Sequence, residues 1–108
     1  MKPGFDGFGI SIVQSDHAAE LALRGELDLA TAPRLREELL WLIAGGIREV
    51  IVDLGHLDFI DSTGLSVLVM AMKRLRENGG DLVLQSPQPE ALKVFELTGL
   101  NKVLAISS

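Results

Sequence analysis

Cysteine is missing from all 108 residues. That excludes a disulfide framework and a thiolate-built metal site, and it fits a reducing compartment. Long apolar runs are missing too. The longest, Leu39 to Ala44 and the Ser66-interrupted Leu65 to Met72, fall far short of the roughly 20 residues a membrane-crossing helix needs. Met1-Lys2-Pro3-Gly4 leads into no apolar signal core. There is no surplus of positive charge: the formal net charge is −5. The ten Lys and Arg residues divide five before Gly55 and five after it, so no basic face for nucleic acid is concentrated anywhere. Neither a phosphate loop closing on Gly-Lys-Ser/Thr nor a Gly-x-Ser-x-Gly elbow occurs. What is present, 47% hydrophobic and 23% charged residues, is ordinary for a globular chain. The length suits one domain over residues 1–108. A cytoplasmic protein is expected, with no membrane or nucleic-acid partner.

Phe8, Ile10 and Ile12 alternate with Gly9 and Ser11 at the two-residue period of a strand. Ser15-Asp16-His17 supplies a turn, and Leu21 and Leu23 mark a second strand, antiparallel to the first. Thr31-Ala32-Pro33 opens a helix with Leu35, Leu39, Leu42 and Ile43 inward, and Trp41 packs on that helix. Arg34 and Glu38, four apart, are expected to pair on its wet side, and Gly45-Gly46 closes it. Val50-Ile51-Val52 reads as a central strand covered on both faces, and Leu82-Val83-Leu84 reads the same way. Ser86-Pro87-Gln88-Pro89 opens a further helix with Leu92, Phe95 and Val94 inward. Gly99 ends it and Val103 to Ile106 forms the last strand.

Strand, helix, strand, helix, strand implies right-handed crossovers and an α/β fold. Its sheet is mixed and mostly parallel, with an N-terminal antiparallel hairpin strand and helices packed on it. Loops leaving the carboxyl ends of such strands share one edge. Asp28, Asp53 and Ser62 are placed in those loops, and Gly55 to Asp61 is read as a loop as well.

The stretch Phe59-Ile60-Asp61-Ser62-Thr63-Gly64-Leu65 introduces a helix whose Leu65, Leu68, Val69, Met72 and Leu75 form one apolar face. Lys73, Arg74 and Arg76 suit its dipole and Asn78-Gly79-Gly80 stops it. Ser62 stands at the expected N-cap, its hydroxyl accepting from first-turn amides. Thr63 is expected to bond back to the loop, and Asp61 to favour the helix start by its charge. Gly64 permits close approach, either to a partner or to a neighbouring loop. Asp28 is a turn-former after its strand, Asp53 a structural carboxylate. His17, His56, Asp58, Asp61 and Ser62 tempt a Ser-His-Asp reading, but a triad needs an oxyanion hole that nothing here supplies. Two lone histidines with scattered carboxylates make no zinc site. Neither catalysis nor a cofactor is expected.

Gly25-Glu26-Leu27-Asp28, Val52-Asp53-Leu54, Phe59 through Leu65 and Thr98-Gly99-Leu100 together resemble the STAS domain of bacterial anti-sigma factor antagonists. The likeness covers about Phe8 to Ile106, and Asp-Ser-Thr-Gly-Leu is its most specific piece. It implies a STAS fold and phosphorylation at Ser62, with Thr63 the alternative acceptor. The phosphorylating partner is an anti-sigma factor with serine kinase activity. The unphosphorylated antagonist binds it and frees the sigma factor, and a PP2C-type phosphatase resets the cycle. Asp28, Asp61, Ser62, Thr63 and Gly64 are the implied partner-binding residues, on a monomer or weak dimer. A non-switching STAS subunit of a signalling or lipid-transport assembly, with Ser62 only a cap, is the alternative. A nucleotide-binding or hydrolytic protein using the same edge is a third.

Overall fold

The computed structural model describes residues 7–108. Among them β1 (Gly9–Ser15) and β2 (Ala18–Leu27) form a hairpin closed by Asp16 and His17. Then follow α1 (Ala32–Ala44), β3 (Glu49–Ile60), α2 (Ser62–Glu77), β4 (Asp81–Gln85), α3 (Pro89–Thr98), a short 3-10 turn at Leu100–Lys102, and β5 (Ala105–Ser107). The sheet order is β1-β2-β3-β4-β5, antiparallel between β1 and β2 and parallel thereafter. The mixed, mostly parallel sheet expected from the sequence is therefore present. The last strand begins later than read, at Ala105, because Leu100–Lys102 winds into the 3-10 turn and leaves Val103 outside the ladder.

Strand order that never reverses has a consequence. Each right-handed crossover steps the same way, so α1, α2 and α3 all fall on one face of the sheet. That face holds the core: Leu21, Leu23, Val50, Val52, Leu54, Leu82 and Leu84 pack with Leu35, Leu39, Leu68, Leu75 and Phe95, all at most 1% exposed. The other face stays open, and the expectation that Val50-Ile51-Val52 is covered on both sides fails. Ile51 is 38% exposed, beside Glu20 on β2 and Val83 on β4. A run of β-branched residues looks doubly buried, but the crossover direction puts every described helix on the other side.

β3 is long because it carries two extra residues against β2. Ala22 faces Asp53 but Arg24 faces His56, and Gly25 faces Leu57 but Glu26 faces Phe59. Each irregularity resets the alternation, so Leu54, Leu57 and Ile60 all point inward at a spacing of three. The loop expected over Gly55 to Asp61 is strand as far as Ile60 for this reason. Asp53 accordingly lies within β3 and not in a carboxyl-end loop, and its Oδ1 accepts from Gly55 N–H at 2.8 Å, fastening the first irregularity.

α1 buries Ala32, Leu35, Leu39 and Leu42. Trp41, one step before Leu42 and turned off that stripe, is 71% exposed instead of packed. Arg34 does not pair with Glu38; its guanidinium lies 5.2 Å from the Phe8 ring centroid, where the ring face attracts it. The ion pair found among the described residues joins Arg76 to Asp81 at 2.8 Å. In α3 the buried residues are Ala91 and Phe95, with Leu92 and Val94 half-buried. Gly99 ends that helix in the left-handed conformation, φ 78°, which suits glycine.

Candidate functional site

Two chain segments meet where β2 and β3 end. After Leu27, Asp28 folds the chain back on itself: its Oδ1 accepts from Ala30 N–H at 3.0 Å and Thr31 N–H at 3.2 Å. Thr31 Oγ1 accepts from Asp28 N–H at 2.9 Å and donates to the Glu26 carbonyl at 2.8 Å. Asp28 is thus the turn-former its residue type predicts.

Asp61 ties this turn to α2. Its Oδ1 accepts from Gly64 N–H at 3.0 Å, its Oδ2 accepts from Leu29 N–H at 3.1 Å, and its own N–H donates to the Leu27 carbonyl at 3.1 Å. The N-cap of α2 is therefore Asp61, not Ser62. Aspartate and serine are near-equal caps, and adjacent candidates leave the register open by one residue. Asp61 takes the role because its carboxylate reaches Gly64 and Leu29 together.

Displaced into the first helical position, Ser62 is exposed, and its hydroxyl makes no hydrogen bond with any described residue. Its carbonyl accepts from Ser66 Oγ at 2.9 Å. Thr63 is half-buried, and its hydroxyl does not bond back to the loop among the described residues. Gly64 is buried: a Cβ there would stand 2.7 Å from Leu27 Cγ and 3.1 Å from Ile60 Cγ1. The close approach it allows is helix to sheet.

Ser62 opens one end of a groove of about 700 Å³ along α2, lined by Leu65, Ser66, Val69, Met70 and Leu100, with Lys73, Arg74 and Glu77 toward the far end. Leu29 is 74% exposed and Phe59 50% exposed, both on segments that flank Asp61. These two side chains were not singled out from sequence. The available signal was an apolar residue on each side of a polar turn motif, in Asp28-Leu29 and in Phe59-Ile60-Asp61.

His56 and Asp58 project into a separate concavity of about 610 Å³ shared with Phe8, Arg24, Glu26, Asp28 and Arg34. Ser62 does not line it. The structure therefore does not bring His56, Asp58 and Ser62 together as a triad, and His17 sits in the hairpin turn. Among the described residues no group of three or more His, Asp or Glu side chains is placed to hold a metal. No described helix is long and apolar enough to cross a membrane.

An exposed hydroxyl thus stands at the start of α2, with the apolar Leu29 and Phe59 on the flanking segments. The STAS domain model matches residues 9–108, and this chain belongs to the STAS domain family. It is 31% identical over 99 residues to the anti-sigma-B factor antagonist of Bacillus subtilis, a match covering 92% of this chain and 90% of the relative. Its fold is similar to that of the anti-sigma factor antagonist SpoIIAA in its unphosphorylated form. That likeness has a TM-score of 0.81 and 24% identity over 93% of this chain and 89% of the other. It is also similar to the Bacillus cell fate determinant SpoIIAA in the phosphorylated form, with a TM-score of 0.73 and 25% identity over 94% and 91% of the two chains. Such relatives are regulatory binding proteins, not enzymes.

Proposed function

We propose that this domain is an anti-sigma factor antagonist switched at Ser62. Unphosphorylated, it binds an anti-sigma factor with serine kinase activity and releases the sigma factor; phosphorylated, it lets go, and a PP2C-type phosphatase restores it. The observation that carries this reading is the Ser62 hydroxyl, exposed and unbonded at the first turn of α2 while its neighbour performs the capping. Relatives named as antagonists of anti-sigma factors support the partner class.

Partner contact would centre on Leu29, Phe59, Ser62 and the groove along α2, with Asp28 and Asp61 holding those elements in place. A phosphoryl group adds about −1.5 to −2 charges. Buried at the interface beside Asp61, it would have to shed its water against a surface shaped for a neutral hydroxyl, without requiring any change of fold. A hundredfold loss of affinity needs only about 2.7 kcal/mol. Thr63, half-buried, presents its hydroxyl less openly. In the alternative, a non-switching STAS subunit of a signalling or lipid-transport assembly, Ser62 would take no phosphate, and its capping part falls to Asp61.

Incubation with a cognate anti-sigma kinase and ATP, followed by intact mass, tests the reading. One phosphate on the wild type and none on Ser62→Ala is expected. A phosphate that persists in Ser62→Ala, or none on the wild type, would overturn the assignment.

A further inference from the structure

The free edge of β1 points to a second function for this domain, self-association. Gly9–Ser15 reads GISIVQS, with no charge and no proline, so it lacks devices that usually blunt an exposed edge strand. Among the described residues β1 is bonded on one side only, to β2. The two-residue Asp16-His17 turn makes Ser15 and Ala18 the closing hydrogen-bonded pair. Alternation along an antiparallel ladder then bonds Ser11 and Val13 to β2 and turns the N–H and C=O of Ile10, Ile12 and Gln14 outward. Ile10 and Ile12 are only partly buried, and Val13 is 74% exposed on the open face.

A charged group lies at this edge. The Arg24 guanidinium is laid across Gly9, where a Cβ would collide with it. Among the described residues it has no carboxylate partner.

We infer that β1 pairs antiparallel with β1 of a second copy of this chain, about a two-fold axis through Ile12. The two five-stranded sheets then become one continuous ten-stranded sheet. In this register Ile10 faces Gln14 of the second copy, and every outward N–H finds a carbonyl. Gly9 faces Ser15 of the second copy, with Asp16 one residue beyond. Arg24, lying over Gly9, thereby reaches an acidic turn, and symmetry repeats the contact. This complementarity is what selects a second copy as the occupant of an otherwise acidic chain. The edge is separated from the Ser62 end of β3 by β2, so pairing leaves the α2 groove open and stands or falls apart from the switch.

Sedimentation of the full chain from micromolar to near-millimolar concentration should show a reversible dimer. Gln14→Pro removes an outward donor but no bond to β2, and should weaken association about tenfold or more with the fold retained by circular dichroism. Arg24→Asp should weaken it, and adding Asp16→Arg should restore it. The chain has no cysteine, so a single Ile12→Cys reports the axis directly. Paired Cα atoms about 5.5 Å apart lie within disulfide reach, and oxidation should link the copies. Leu97→Cys, 79% exposed on α3, should link far more slowly. A monomer at every concentration, or equal linking of the two cysteine variants, would overturn the inference.

Discussion

The Asp61 carboxylate and the Leu29 amide, 32 residues apart in the chain, are joined at 3.1 Å, and that bond fixes the β2–α1 turn against the start of α2. Because the other carboxylate oxygen caps α2 through Gly64, a single side chain sets the position of both segments around Ser62.

Replacing Asp61 therefore removes two bonds, whereas replacing Ser62 removes no hydroxyl bond. Asp61→Ala should lower stability by about 1–2 kcal/mol, the usual cost of losing a cap with a further hydrogen bond. Ser62→Ala should stay within about 0.5 kcal/mol of wild type. Urea unfolding of both variants checks this, and equal losses would return the capping role to Ser62.

Phosphorylation of Ser62 places new negative charge next to a carboxylate already engaged with Leu29. Hydrogen exchange at the Leu29 amide should quicken in the phosphoprotein, while amides of the β3–β4 ladder keep their protection. Unchanged exchange at Leu29 would mean that the phosphate acts on the partner alone.

Leu29 and Phe59 are the apolar side chains best placed to anchor a partner. Leu29→Ala and Phe59→Ala should each weaken the complex with the anti-sigma factor by about 1–2 kcal/mol, while Trp41→Ala, exposed in the last turn of α1, should leave it unchanged. Calorimetric titration separates these outcomes.

Gly64 faces Leu27 too closely to accept a methyl group without movement. Gly64→Ala should cost about 1–3 kcal/mol through overpacking, despite roughly 1 kcal/mol of better helix propensity. Combining it with Leu27→Ala should cost less than the sum of the two single changes. Additive costs would place the strain elsewhere.

Arg76 joins the end of α2 to β4 and to the turn before β5, bonding Asp81 at 2.8 Å and the Val103 carbonyl at 2.9 Å. Partial burial pushes the Asp81 carboxyl up, but the Arg76 hydrogen bond, the Leu82 N–H and the Arg76 charge outweigh it. The net pKa falls below its ordinary 3.8. A carboxyl whose pKa is lowered by folding contributes stability above the unfolded value and loses it as pH drops through the folded one. Asp81→Asn should thus be less stable than wild type by about 0.5 kcal/mol near neutral pH, the two sides of the pair being largely exposed. The gap should close below about pH 4, as thermal melts across pH will show.

Much of this was legible from spacing alone. The hairpin, the parallel order, and the Leu65-Leu68-Met72-Leu75 stripe each follow from one dominant period. What escaped was decided by neighbours. Ser62 was read as the cap because the pattern cannot tell which of two adjacent cap-formers finds an acceptor geometry; only the Leu29 amide settles it in favour of Asp61. Gly55 to Asp61 reads as a loop because two extra residues break a period of two. Ile51 was read as buried because crossover direction, not composition, determines which face is clothed. At the candidate site Asp28, Asp61, Ser62, Thr63 and Gly64 were all marked from the motif. Leu29 and Phe59 were not, since an isolated apolar residue beside a turn has no periodicity to betray its exposure.

The bare side of the sheet carries one further implication. A domain clothed on a single side is two layers thick, and Ile51 and Val83, paired side by side, face away from the side that carries the α2 groove. Changes at Ile51 and Val83 should therefore leave the Ser62 end of α2 undisturbed, and the bare side is free to differ between chains that share the clothed one.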